Sequence, residues 1–198
     1  MKDRVTIGLT GSIAMGKSTT AAMFAEAGAA VWDADTAVHR LYEAGGPAVG
    51  PIGRLCPCAV TNNAVDREAL KAWIGRDPSA LAKITAVVHP LVAADRAAFL
   101  ANTDAEIVVL DIPLLFETGA EEEVDFVVVV SAPADVQRQR LLNRGRMDGQ
   151  TLQTILAKQM PDAEKRARAD FVIETIDMET ARAHVRAVID TIREHKDA

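Results

Sequence analysis

Cysteine is almost missing from this 198-residue sequence; there are two, Cys56 and Cys58. Two thiols one residue apart cannot staple a small secreted fold, and they fall short of a four-ligand zinc site. They read as free thiols of a reducing compartment. Aromatic residues are scarce as well, at 4%, and much of the apolar share is alanine. The core expected is small and aliphatic, under an alanine-rich helical shell. No stretch approaches the ~20 apolar residues of a membrane span. The first residues run into a strand-like segment without the apolar core and cleavage site of a secretory signal. These absences give the expectation of a cytoplasmic protein with no membrane partner. Positive charge is in deficit too: 22 Lys+Arg against 28 Asp+Glu leave a net charge of -6. A general nucleic-acid binder displays a basic face, so no nucleic-acid partner is expected, while one local basic pocket is compatible with the total.

What is present is globular. Hydrophobic residues make up 49% and charged residues 25%, outside the disordered range. The length suits one large domain, or a core carrying an inserted lid. Short β-branched or apolar runs predict strands at 5–9, 29–32, 106–110, 125–130 and 171–173. Helical patterns fall at 17–27, 35–42, 66–102, 133–144, 148–159, 162–168 and 178–195. The stretch 66–102 is expected to break at Asp77-Pro78 and at His89-Pro90. Asp66 and Asp77 are expected N-caps, with Pro78 at a first helical position. Residues 45–63 cluster Gly, Pro and Asn and read as loop. Strands alternating with helices imply an α/β fold with a parallel sheet. The helical stretch 66–102 interrupts that alternation as an insertion beside the sheet.

The strongest local signal is Gly11-Ser12-Ile13-Ala14-Met15-Gly16-Lys17-Ser18, which fits G-x-x-x-x-G-K-[ST] between a strand and a helix. A nucleoside triphosphate needs several donors converging on its β- and γ-phosphates. Loop amides and the N-terminus of the following helix supply them. Gly16 permits close backbone approach, Lys17 adds a cation, and the Ser18 hydroxyl is the expected Mg²⁺ ligand. Thr19 adds a hydroxyl toward the α-phosphate. The motif does not name the acceptor, since switches, motors and small-molecule kinases all carry it. The guanine-reading N-K-x-D is absent. Of the two later strands, only the one ending at Asp111 offers a carboxylate.

A wider set of motifs resembles the dephospho-coenzyme A kinases. Gly8-Leu9-Thr10-Gly11 through Thr19 is similar to the opening of that family, and Asp33-Ala34-Asp35 follows the second strand. His89-Pro90-Leu91, Asp111-Ile112-Pro113-Leu114-Leu115-Phe116-Glu117, Gln159-Met160-Pro161 and Lys165-Arg166-Ala167-Arg168-Ala169-Asp170-Phe171-Val172-Ile173 follow in the family's order. The resemblance covers residues 4–174. It implies ATP-dependent phosphorylation of the ribose 3′-hydroxyl of dephospho-coenzyme A, the last step of coenzyme A synthesis. It also implies a three-layer P-loop kinase fold, with a five-stranded parallel sheet, a helical acceptor-binding insertion and a small lid. On this chain the core maps to 1–44, 103–137 and 169–198, the insertion to about 45–102 and the lid to about 138–168. The implied small-molecule partners are ATP and dephospho-coenzyme A, with Mg²⁺ as cofactor, acting on a monomer or weak homo-oligomer. Two departures stand out. Ser12 and Ala14 occupy places where the family often has Gly, and Glu174-Thr175-Ile176-Asp177 lacks the family's Gly-containing turn near the adenine.

Each candidate role has a plainer counterpart. Asp33 ends a strand, where open α/β sheets place their ligands. It is the expected base toward the ribose hydroxyl, unless it and Asp35 only cap the next helix. Asp35 is the better N-cap of the two. Asp111 is expected to hold Mg²⁺ through water or to touch the acceptor, or else to cap the next turn. Leu114, Leu115 and Phe116 line the acceptor pocket or belong to the core, and Glu117 is a weaker polar candidate. His89 meets the acceptor or simply precedes a proline. Thr10 lies beside the phosphate loop, within reach of an acceptor. Arg138, Arg140, Arg144 and Arg146 form a basic cluster. Phosphoryl transfer needs such cations over the phosphates, and Arg140 and Arg144 are the expected catalytic pair; a solvated basic face is the alternative. Lys165, Arg166 and Arg168 are expected at the surface. A kinase for another nucleotide or small hydroxyl acceptor, or a nucleotide-binding regulatory module, are the competing functions.

Overall fold

The computed structural model describes residues 4–143 and 159–197. In chain order the elements are β1 (Val5–Thr10), α1 (Lys17–Glu26), β2 (Ala30–Asp33), α2 (Ala34–Tyr42), α3 (Val49–Leu55), β3 (Val60–Thr61), β4 (Ala64–Val65), α4 (Arg67–Arg76), α5 (Ala80–Asn102) and β5 (Ile107–Asp111). Then come β6 (Phe126–Ser131), α6 (Ala134–Asn143), α7 (Asp162–Arg168), β7 (Phe171–Glu174) and α8 (Met178–Asp197). The expected helix at 148–159 lies, but for Gln159, outside the described residues, as do Arg144 and Arg146.

The chain divides into two units, one made of Met1–Trp32 and Asp104–Ala198, the other of Asp33–Thr103. The sheet has the order β2-β5-β1-β6-β7. β1 pairs in parallel with β5 on one side and with β6 on the other, and β7 extends the sheet beyond β6. Helical crossovers join these parallel strands and cover the sheet on both faces. Ile107 to Asp111 are all buried, as a doubly covered strand requires. The period of two sorts the side chains. Val128 and Val130 enter one apolar cluster with Ile7, Leu9 and Phe24, whereas Val127 and Val129 enter another with Leu115 and Phe116. α8 closes the first cluster with Ala181, Val185, Val188, Ile189 and Ile192, spaced for one helical face.

The second unit has its own core, in which Leu41, Ile52, Leu70, Ile84 and Val88 meet. The expected insertion, 45–102, lies within it, and the unit also takes in α2. The expected loop at 45–63 is instead α3, a 3₁₀ turn at Pro57–Ala59 and the β3–β4 hairpin. Pro51 stands in the first turn of α3, where amides lack helical partners anyway. Val49 and Ile52 bury one face of that helix. Asn62 and Asn63 both take positive φ, 51° and 59°, the tight-turn geometry that a two-residue hairpin needs.

Asp66 caps α4 as expected, accepting from the Glu68 and Ala69 amides. Asp77 does not cap the next helix, and Pro78 is not its first residue. Asp77 Oδ1 accepts from the Ser79 amide and hydroxyl at 2.8 and 2.6 Å, holding a turn before α5 begins at Ala80. Nor does His89-Pro90 break α5, which runs through Pro90. Ile84 and Val88 before the proline, and Leu91 and Val92 after it, pack on the unit's core, which offsets the lost hydrogen bond. By length and composition α5 is apolar enough to cross a membrane, against the expectation that no stretch comes close. Its Asp95 pairs with Arg40 at 2.6 Å, and its apolar face contributes to this unit's core.

Candidate nucleotide site

The loop between β1 and α1 is shaped by close approach and unusual backbone. A Cβ on Gly11 would stand 2.5 Å from the Val130 carbonyl oxygen. Gly16 is the N-cap of α1, with φ 97°. Ala14 takes φ 62°, a conformation costing a residue with a Cβ about 1–2 kcal/mol. Loop carbonyls are tied into the protein. Ile13 O accepts from Gln137 Nε2 at 2.8 Å and Met15 O from Thr175 Oγ1 at 2.6 Å, while Ser12 O accepts from the Met15 amide at 3.2 Å. The Ala132 amide donates to Met15 Sδ.

Lys17 opens α1, and its Nζ donates to Asp111 Oδ1. Asp111 is the last residue of β5, in register with Leu9 of β1, and its side chain is 2% exposed against 15% for Lys17. Ser18 and Thr19 are exposed in the first turn of α1. Thr10 is buried and donates to the Pro113 carbonyl at 3.1 Å. Leu115 and Phe116 are core residues, whereas Leu114 is 41% exposed.

Next to the loop lies a cavity of about 380 Å³, lined among others by Ala14, Gly16, Thr19, Arg140, Thr175 and Asp177. The Arg140 guanidinium donates to both oxygens of Thr175, from Nη1 to Oγ1 at 2.9 Å and from Nη2 to the carbonyl. Thr175 therefore joins the phosphate loop, Arg140 and the cavity wall. No motif in the sequence marks it. Its one usable signal is its place just beyond the end of β7, since sheet C-termini line ligand crevices. Asp177 caps α8. The Thr180 amide and hydroxyl bond its carboxylate and hold its pKa below the usual range.

Lys165 is not at the surface. It is fully buried on α7, with Nζ 2.9 Å from Glu117 Oε1. The two form a close ion pair away from water. Burial pushes the Glu117 carboxyl up, but the Lys165 ammonium and the Met160 amide outweigh it and leave the pKa lowered. Arg166 and Arg168 are half exposed, paired with Glu174 and Glu121. Arg138 is exposed.

In the other unit, Asp33 rather than Asp35 is the N-cap of α2, accepting from the Thr36 amide at 2.5 Å. The helix starts at Ala34, two residues earlier than a cap at Asp35 requires. Asp35 lies exposed in the first turn, and His89 is exposed on α5.

For a divalent cation, the Asp111 carboxylate and Ser18 hydroxyl are hard oxygen donors of the right kind. Among the described residues no group of three His, Cys, Asp or Glu could hold a metal alone. A cation taking its remaining ligands from phosphates and water fits such a sparse set.

A family model described as dephospho-CoA kinase matches residues 5–179. A dephospho-CoA kinase of Cereibacter sphaeroides is 60% identical over 192 residues, covering 97% of this chain and 98% of its own. A crystal structure from Thermus thermophilus superposes with TM-score 0.85 at 34% identity, covering 96% of this chain and 98% of that one. Dephospho-CoA kinase from Campylobacter jejuni has the same fold, with TM-score 0.68 at 24% identity and the same coverage.

Proposed function

The chain belongs to the dephospho-coenzyme A kinase family and catalyses its ATP-dependent reaction, the last step of coenzyme A synthesis; from that premise we propose how its residues divide the work. The single observation that carries the proposal is the Lys17–Asp111 pair, which joins the first residue of α1 to the end of the strand beside β1.

Residues 11–19 wrap the triphosphate of ATP with loop amides and the N-terminus of α1. Lys17 leaves Asp111 for the β- and γ-phosphate oxygens, exchanging one anionic partner for another. Ser18 and the released Asp111 would hold Mg²⁺, which when bound neutralises charge building on the phosphates. The cavity beside Gly16 takes the base, with Arg140 and Thr175 in its wall. Arg140, with Arg144 beyond the described residues, supplies positive charge during transfer.

Asp33 accepts the proton of the attacking ribose 3′-hydroxyl, and its place at the end of β2 supports that role. Thr10, Asp35, His89, Asp111 and Leu114 are the acceptor-side candidates, with Leu115 and Phe116 packing beneath them. We take 45–102 as the acceptor-binding insertion and 138–168 as the lid. We also take the enzyme to work in the cytoplasm as a monomer or weak homo-oligomer, without nucleic acid or membrane.

Purified protein with MgATP should release ADP only when dephospho-coenzyme A is added, measured in a coupled assay. Equal rates with adenosine monophosphate or pantetheine would overturn the acceptor assignment. Acceptor-independent hydrolysis alone would favour a regulatory nucleotide-binding role.

A further inference from the structure

The two cysteines have no part in the kinase reaction, yet the second unit brings them together. Cys56 ends α3, with its amide donating to the Ile52 carbonyl at 2.8 Å, and its own carbonyl accepts from the Ala59 amide at 2.9 Å. Those two bonds fold the chain tightly over Pro57. They leave Cys56 Sγ 2.9 Å from Cys58 Sγ, closer than unlinked sulfurs ordinarily pack. Pro57 opens the 3₁₀ turn, where its fixed φ makes the turn rigid. Cys56 is buried in the unit's core, while Cys58 is exposed.

We propose that Cys56 and Cys58 form a reversible dithiol–disulfide site that exchanges with low-molecular-weight disulfides. The site lies wholly within the second unit and does not depend on the assignment of the kinase site. The exposed Cys58 reacts first. Its thiolate attacks one sulfur of a disulfide RSSR, the S–S bond breaks, and RS⁻ leaves and takes a proton from water. Cys56, having given its proton to solvent, then attacks the Cys58 sulfur of the mixed disulfide. The Cys56–Cys58 bond forms as the second RS⁻ leaves. In sum, two protein thiols and RSSR become one protein disulfide and two RSH; the protein loses two electrons and the small disulfide gains them.

The division between buried and exposed thiol suits this order. In the dithiol, the hydrogen bond that the Cys56 thiol donates to Cys58 Sγ, burial and the charge of Cys58 all push the Cys56 thiol up. Capping Cys58 removes its negative charge and weakens its sulfur as a hydrogen-bond acceptor. Cys56 then moves back toward its ordinary range at the stage when its thiolate is needed. A disulfide with one exposed sulfur is open to attack by returning thiols, so the exchange runs both ways.

The chain has only two cysteines, so a thiol count has no background. Full-length protein is incubated with glutathione disulfide, alkylated with N-ethylmaleimide and weighed by intact mass spectrometry. The proposal expects a monomer about 2 Da lighter, the two thiol hydrogens, with no maleimide added; dithiothreitol should restore two additions. Cys56→Ser should stall as a one-to-one glutathione adduct, and Cys58→Ser should react at least tenfold more slowly than wild type. Three results would each overturn the proposal: two maleimides still added, a wild-type adduct that persists without internal closure, or a disulfide-linked dimer as the main product. Heating curves of both variants matching the reduced wild type show that a failure to react is not a failure to fold.

Discussion

The first residue of α1 and the last residue of β5 are joined by a hydrogen-bonded ion pair, Lys17 Nζ to Asp111 Oδ1. Both carry charge where water is largely excluded, so neither can lose its partner cheaply. The pair sets a cation and a carboxylate side by side at the phosphate loop. On the proposed function, triphosphate would take the carboxylate's place beside Lys17, and a divalent cation would take the ammonium's place beside Asp111.

Thr175 should matter more than its chemistry suggests. Thr175→Val removes the donor to Met15 O and the acceptor for Arg140, leaving a buried carbonyl unpaired at a cost of about 1–3 kcal/mol. The expected outcome is a lower melting temperature and a KM for ATP raised severalfold, while Thr175→Ser stays near wild type. Identical behaviour of the valine and serine variants in calorimetry and steady-state kinetics would contradict the hydroxyl's role.

Ala14 and Gly16 carry the same backbone requirement with opposite residues. Ala14→Gly removes about 1–2 kcal/mol of left-handed strain and loses roughly 0.4–1 kcal/mol through the freer unfolded chain. A small net gain in stability is expected in urea titrations. Gly16→Ala should destabilise, because φ is 97° and the new Cβ would meet Thr175 Oγ1 at 3.1 Å.

Glu117 makes a pH-dependent contribution. Its pKa is lowered on folding, so its stabilisation is fully present above the unfolded carboxylate value of 4.5 and is lost as pH falls through the folded value. Glu117→Gln should flatten that part of the acid limb and leave Lys165 buried without a counter-charge, at a cost of about 3–5 kcal/mol at pH 7. The double variant Glu117→Gln, Lys165→Met should recover part of the loss. Urea midpoints between pH 7 and about pH 3, reaching below the carboxylate's ordinary value, check both statements.

Asp33 tests capping against catalysis in one substitution. Asparagine caps a helix about as well as aspartate, so Asp33→Asn should keep the bond from the Thr36 amide and the melting temperature. If Asp33 is the base, turnover falls roughly 100- to 10,000-fold with ATP affinity little changed. Near-normal turnover would remove it from the base position.

The sequence was most legible where short-range rules act alone. The parallel strands follow from β-branched runs, and the phosphate loop from its motif; Asp111 is legible as the end of the strand beside β1. Legibility failed where tertiary packing overrode a local signal. Pro90 reads as a break, yet Val88 and Leu91 hold α5 continuous. Gly and Pro made 45–63 look like loop, although Val49 and Ile52 were spaced to bury a helix face and Asn62-Asn63 marked a hairpin. Lys165 stands in a run of charges that reads as solvated. Only the position of Glu117, 48 residues away in sequence, makes it a buried cation.

The exchange of partners at Asp111 is tested most directly by the Mg²⁺ dependence of acceptor-dependent ADP release in Asp111→Asn and wild type. Asparagine keeps the shape and an oxygen acceptor for Lys17 but loses the charge that would draw the metal. The account predicts that the variant needs at least about tenfold more Mg²⁺ for half-maximal rate and turns over roughly 100-fold more slowly or worse at saturation. An unchanged Mg²⁺ midpoint with turnover near wild type would contradict it.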